Sequence, residues 1–252
     1  MTTTSQQAPL MTWNYSDISK MIDHALLKPT LTADELAAGC RMACAYDIAS
    51  VCIMPFAVGQ CAEILEGSTV APSTTIGFPH GASATSSKVE QSVTALADGC
   101  RELDMVVNIS KVLSGDWDYV RTEIAAVVEV AHDQGQRVKV IFETCYLSDE
   151  QKIRLCEICG EVGADWVKTS TGFGTDGATP EDLRLMREHS PAGVQVKASG
   201  GIRTLKALLP VRDIGVTRVG TSSTQTILDE ARQQLGLPAV ESSGPSTQVA
   251  GY

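Results

Sequence analysis

The sequence predicts a single (β/α)8 barrel, on three observations. Short apolar or β-branched runs recur eight times along the chain, and most are followed by a stretch with helical spacing. Strands that alternate with helices pair in parallel, because each crossover needs a long connection. The length, 252 residues, is what eight such units occupy in one domain. An open doubly wound sheet would suit fewer strands and a glycine-rich fingerprint after the first one, and the sequence has neither.

The elements follow in order. MIDHALL (21–27) is the first strand. A helix is expected over 32–46, where Thr32 can cap the first turn and Glu35 stands three residues on, the spacing of a capping box. ASVCIM (49–54), TTIGF (74–78) and ELDMVV (102–107) supply the next three strands. Apolar residues then recur at helical spacing from Asp118 to Gln134. VKVIFE (138–143) is the fifth strand, and a helix opens at Ser148, with Gln151 three later, and runs to Val162. DWVKTS (165–170), QVKAS (195–199) and RVGTS (218–222) complete the set, with Gly220 to Ser223 ending the last strand and opening a helix. The barrel domain is placed at residues 1–236, including a short polar lead-in over the first twenty residues. Residues 237–252, rich in Ser, Gly and Pro and without period, read as a flexible tail that ends in Tyr252.

Composition excludes several classes. The hydrophobic fraction of 43% suffices for a core, and the chain is not a disordered one. A net charge of −10 argues against nucleic acid, whose phosphates demand clustered Lys and Arg. No apolar run reaches the ~18 residues of a membrane span, and the first residues lack the basic and apolar regions of a secretory signal. The 8 cysteines form no disulfide framework and fit a cytoplasmic protein. The pairs Cys40/Cys44 and Cys156/Cys159 lie in helix-like stretches without histidine partners. His24 and His80 form no paired ligand motif. No metal and no cofactor are therefore expected.

In a barrel of this kind the working residues sit at the C-terminal ends of strands. Asp23 and His24 lie in the first candidate strand, Asp104 in the fourth, Glu143 at the end of the fifth, Lys168 in the sixth and Lys197 in the seventh. Two lysines inside adjacent apolar strands are the sharpest feature. Pointing outward, each would bury an ammonium among apolar helices. Pointing inward, they would lie close together, and both like charge and desolvation lower an amine's pKa. A neutral lysine can attack a carbonyl and form a Schiff base. Asp104 in the same interior would offset one charge and could move protons. The plainer alternative is a structural ion pair of Lys197 with Asp104, with Lys168 snorkelling to solvent. A second feature follows strands six to eight: Gly172, then Gly200, Gly201 and Arg203, then Gly220, Ser222 and Ser223. Loops there, with a helix N-terminus, commonly cradle phosphate. Read plainly, the glycine pair is a turn and Ser222 or Ser223 a helix cap.

The segments IDHALLKPT (22–30), SVCIMP (50–55), TIGFPHG (75–81), ELDMVVNI (102–109), GADWVKTSTGFGTDGATPEDL (163–183), VKASGGIRT (196–204) and RVGTSS (218–223) stand in family order, and with them the sequence resembles the 2-deoxyribose-5-phosphate aldolases, class I metal-independent aldolases. The resemblance implies the barrel and the reversible cleavage of 2-deoxy-D-ribose 5-phosphate to D-glyceraldehyde 3-phosphate and acetaldehyde, in deoxyribonucleotide catabolism. It implies Lys168 as the Schiff-base lysine, Lys197 as the lysine that perturbs it, Asp104 as the proton donor and acceptor, and Asp23 as the holder of a substrate hydroxyl. It further implies phosphate binding by Gly172, Gly200, Gly201, Arg203, Gly220, Ser222 and Ser223, help in proton transfer from Tyr252, and a homodimer. Two departures stand out. Ala25 occupies a position where the family often carries threonine, which removes a hydroxyl, and His80 stands where another residue is common.

Overall fold

The computed structural model describes residues 12–240. Eight parallel strands close into a barrel in sequence order, β1 (Ile22–Leu26), β2 (Ser50–Ile53), β3 (Ala71–Ile76), β4 (Glu102–Val106), β5 (Arg137–Ile141), β6 (Trp166–Lys168), β7 (Gln195–Ser199) and β8 (Arg218–Thr221), with β8 pairing back to β1. The (β/α)8 expectation holds. The connections carry the helices α1 (Tyr15–Ser19, before β1), α2 (Ala33–Ala45), α3 (Val58–Ile64), α4 (Thr85–Ala97), α5 (Ile109–Leu113), α6 (Trp117–His132), α7 (Asp149–Glu161), α8 (Pro180–His189), α9 (Leu205–Asp213) and α10 (Thr224–Gln234).

The capping boxes read from sequence form. Thr32 accepts from the Glu35 amide while the Glu35 carboxylate takes the Thr32 amide, and Ser148 with Gln151 repeats the arrangement on α7. Two expectations need correction. The polar lead-in contains α1, started by a box of Asn14 and Asp17, and it buries Ile18. The Asn/Asp version of the motif hides it from a search for Ser or Thr followed by Glu or Gln. The third strand starts at Ala71 rather than at 74 and ends at Ile76. Pro72 is tolerated near the strand start because its carbonyl still accepts from the Arg101 amide at 2.8 Å. Gly77, at φ +63°, then turns the chain out before Phe78.

Alternation along each strand divides the side chains. Ile22, Val51, Leu103, Met105, Val138, Val140, Val167, Val196 and Val219 meet the helical layer, and all are fully buried. The other parity points inward, and there the barrel is polar: Asp23, Glu102, Asp104, Lys139, Lys168, Lys197 and Arg218. Outside the barrel, the buried pair Lys88–Glu123 (2.7 Å) joins α4 to α6, and the Lys88 ammonium donates to the Val106 carbonyl at 2.7 Å. That bond fixes the C-terminal end of β4, the strand that carries Asp104. Six of the eight cysteines are buried and all eight are unpaired. Among the described residues no helix is long and apolar enough to cross a membrane.

Candidate active site

Register brings the expected residues together. Lys168 is level with Lys197 on the next strand, and Lys197 is level with Arg218 on the strand after. Asp104 is level with Lys139. Because every one of these side chains has the inward parity, they converge on the barrel axis. Asp104 Oδ2 accepts from Lys168 Nζ and from Lys197 Nζ, each at 2.7 Å, and Asp104 Oδ1 accepts from Lys139 Nζ at 2.8 Å. Lys168 is only 3% exposed, so the snorkelling alternative fails. Asp23 is held between Lys197 and Arg218, at 2.6 Å each, and both of its oxygens are occupied by cations.

Below these residues lies a tier that the sequence reading missed. Lys139 contacts Glu102 at 2.6 Å and Asp23 at 3.5 Å, and Arg218 reaches Glu102 with Nη2 at 2.8 Å. The Trp166 ring floors this tier, with the Arg218 guanidinium carbon 5.0 Å from its centre. A signal for the tier existed. Lys139 follows valine on β5 as Lys168 and Lys197 do on β6 and β7, and Glu102 stands two residues before Asp104, on the same inward face.

Protonation follows from these contacts. Burial alone would push the Asp104 carboxyl up, but Lys139, Lys168 and Lys197 hold it well below the usual carboxylate range. Burial opposes the charge on Lys197 and on Lys139, yet their carboxylate partners raise both above the ordinary lysine value. Lys168 goes the other way. Burial lowers it, Asp104 restores only part, and Lys197 lowers it further. The two lysines flanking one carboxylate oxygen are thus driven apart, one toward the neutral amine and one toward the cation.

Lys168 and Lys197 open onto a cavity of about 320 Å³, a size usual for small-ligand sites. Its walls include Asp23, Gly172, Gly200, Gly201, Arg203, Gly220 and Ser222, which places six of the seven expected phosphate residues around one space. Gly200 and Gly201 sit at φ +86° and +85°, a left-handed pair that turns the loop after β7 beneath the loop after β6. A Cβ on Gly177 would come within 2.7 Å of the Gly200 backbone, so only glycine permits that approach. Ser223 does not line the cavity. It precedes α10, and its amide already donates to Thr221 Oγ1 at 3.0 Å. Ala25 and Leu27 make the wall apolar where β1 ends, and Cys52 joins them, its thiol pushed up to about 11 by burial.

Glu143 does not touch a lysine. It adopts φ +57°, and its carboxylate accepts from the Thr171 amide at 3.0 Å and from the Thr171 hydroxyl. It therefore ties the loop after β5 to the loop that forms one cavity wall. His24 points the other way from Asp23, and its Nδ1 lies 2.8 Å from Thr224 Oγ1 at the start of α10. His80 is exposed and outside the cavity lining. Among the described residues no group of three or more His, Cys, Asp or Glu is placed to hold a metal ion. Tyr252 lies outside the described residues.

Comparison with known proteins points to one family. The profile of the DeoC/LacD family aldolases matches residues 18–217. The deoxyribose-phosphate aldolase of Rhodopirellula baltica is 58% identical over 240 residues, 95% of this chain and 99% of that protein. The deoxyribose-phosphate aldolase of Thermococcus gammatolerans is 49% identical over 218 residues, 86% of this chain and 97% of that protein. Among solved structures, the tetrameric deoxyribose phosphate aldolase of Aeropyrum pernix superimposes with a TM-score of 0.80 at 30% identity, covering 88% of this chain and 93% of that one. The chain belongs to the DeoC/LacD family of aldolases.

Proposed function

We propose that the chain cleaves 2-deoxy-D-ribose 5-phosphate reversibly to D-glyceraldehyde 3-phosphate and acetaldehyde through a Schiff base on Lys168. The observation that carries the reading is Asp104 Oδ2 held at 2.7 Å by two lysines of which only Lys168 is driven toward the neutral amine. A neutral amine is the nucleophile that this chemistry requires. Lys168 Nζ attacks the aldehyde carbon of the open-chain sugar. Water leaves from the carbinolamine, with Lys197 as the proton source and Asp104, which is ionised, as the acceptor. The iminium draws the electron pair of the bond between the second and third carbons as that bond breaks. The hydroxyl proton on the third carbon passes to a base, and glyceraldehyde 3-phosphate departs. The remaining enamine takes a proton on its terminal carbon, the step assigned here to Tyr252, and hydrolysis releases acetaldehyde and regenerates Lys168.

Gly172, Gly200, Gly201, Arg203, Gly220, Ser222 and Ser223 are assigned to the phosphate, with backbone N–H groups among the donors. Binding so far from the reacting carbons orients the sugar without touching the bond that breaks. Asp23 is assigned to a substrate hydroxyl at the cavity floor. A role in deoxyribonucleotide catabolism, in the cytoplasm and as a homodimer, belongs to the same proposal.

The test is condensation by the purified protein. With acetaldehyde and D-glyceraldehyde 3-phosphate the expected product is 2-deoxyribose 5-phosphate. Turnover of ketone donors with none of acetaldehyde would reassign the chain to a different sugar-phosphate aldolase. Tight phosphosugar binding with no condensation at all would make it a binding protein.

A further inference from the structure

Seven charged side chains share the barrel interior, and their formal charges do not cancel. Asp23, Glu102 and Asp104 supply three negative charges, against four positive ones from Lys139, Lys168, Lys197 and Arg218. The most exposed of these side chains, Arg218, is only 11% accessible, so water can do little to support the surplus. A buried uncompensated charge is costly, and a buried group relieves it by giving up its proton. The contacts decide which one. Lys139 touches all three carboxylates, Lys197 touches Asp23 and Asp104, and Arg218 touches Asp23 and Glu102. Lys168 touches Asp104 alone. It has the fewest partners to hold its proton.

We propose that Glu102, Lys139 and Arg218, none of which lines the cavity, are positioning residues that set the charge state of Lys168 by fixing the charge count of the interior lattice. This rests on the reading of Lys168 as the Schiff-base lysine. From β2 and β3, Lys168 faces the neutral side chains of Cys52, Ser73 and Thr75, while across the cavity the loops after β6 and β7 carry Asp176 and Arg203, outside the lattice. On the outer side of β6, α7 brings the buried thiols Cys156 and Cys159, and at the barrel mouth Glu143 is turned to Thr171. Among the described residues, Asp23, Glu102 and Asp104 are the buried carboxylates in ionic contact with the lattice cations, so a change in the count falls on them.

The claim gives shifts of opposite sign. Glu102→Gln enlarges the positive surplus and favours neutral Lys168. Arg218→Met abolishes the surplus and lets Lys168 keep its proton. Arg218→Lys keeps the count and loses only the fork geometry. The experiment follows imine formation with acetaldehyde, trapped by borohydride and located by peptide mass, as a function of pH. The midpoint of Lys168 labelling is expected to fall by about one pH unit in Glu102→Gln, to rise by about one unit in Arg218→Met, and to stay in Arg218→Lys. Circular dichroism checks that each variant is folded. Should Glu102→Gln not fold, the contrast of Arg218→Met with Arg218→Lys decides. Labelling of Lys168 in the wild-type chain with unmoved midpoints, or with shifts of the same sign, overturns the lattice claim and leaves the catalytic reading standing. No labelling of Lys168 in the wild-type chain overturns both.

Discussion

Replacing Lys197 by methionine tests how the two lysines divide their labour. Two 2.7 Å bonds to the same Asp104 oxygen keep their nitrogens within 5.4 Å of each other, twice that length. At a separation of about 5 Å and an effective dielectric of about 20, one unit charge acts on another with about 3 kcal/mol, or roughly two pH units. Without the Lys197 ammonium, Lys168 should hold its proton to a pH about two units higher. Asp23 would keep Arg218 at 2.6 Å and Asp104 would keep Lys139 at 2.8 Å, so neither carboxylate is stranded. The fold should survive a loss of up to about 3–5 kcal/mol, the usual cost of opening a buried pair. The assay is the pH dependence of kcat/KM, whose acid limb reports groups of the free enzyme. Below the limb the variant should be slower by about a hundredfold, and most of that loss should return at higher pH. A limb that stays where it was refutes the electrostatic argument. A loss that no alkaline pH restores would make Lys197 an indispensable proton donor and not a tuner.

Other expectations follow from the same contacts. Lys168→Met should abolish turnover yet cost less than about 2 kcal/mol in denaturant melts, because it leaves three cations facing three carboxylates; a loss above about 4 kcal/mol would contradict the charge count. Burial holds the His24 imidazole down to about 4 from 6.5, so the unfolded chain binds its proton first as pH falls. Its contribution is complete above pH 6.5 and drains away toward pH 4, by about 3 kcal/mol, and His24→Gln should flatten that part of the stability profile. Glu143→Ala releases the Thr171 amide and hydroxyl at the cavity wall. KM for the phosphosugar should rise about tenfold with a smaller change in kcat, as loss of a charge-assisted bond to a binding loop implies; an equal loss in both would place Glu143 in the chemistry.

Legibility in the sequence varied with the physical signal. Strands were readable because each apolar run is bounded by turn residues, and the capping boxes at Thr32 and Ser148 fixed two helix starts. Lys168, Lys197 and Asp104 were readable because a charge inside a buried strand has few places to go. Lys139 carries the same signal on RVKVI but lacks a glycine-rich loop behind it, and only the closed register shows that it reaches Asp104. Glu102 and Arg218 begin their strands, where a charged residue reads as an exposed terminus; the barrel instead turns them inward beneath the site. Ser223 was expected at the phosphate from the family motif; its amide donates to Thr221 Oγ1, and Ser222 is the one of the two that lines the cavity. Pro72 concealed the start of β3, since proline discourages a strand assignment that one carbonyl bond is enough to sustain.

The interior also shows what the site demands of the fold. Barrels of this kind are commonly filled with layers of branched apolar side chains. Here the lower layers are ionic, and replacing a buried ionic cluster by apolar residues is often neutral or stabilising. The lattice is better understood as a device that weakens one amine's hold on its proton than as a source of stability.

The central claim is that Lys168 is the nucleophile. Borohydride trapping with 2-deoxyribose 5-phosphate, followed by peptide mass analysis, addresses it most directly. A reduced two-carbon or sugar adduct on Lys168, absent from Lys168→Met, is the result expected. An adduct on Lys197, or none on either lysine while the sugar turns over, would contradict it.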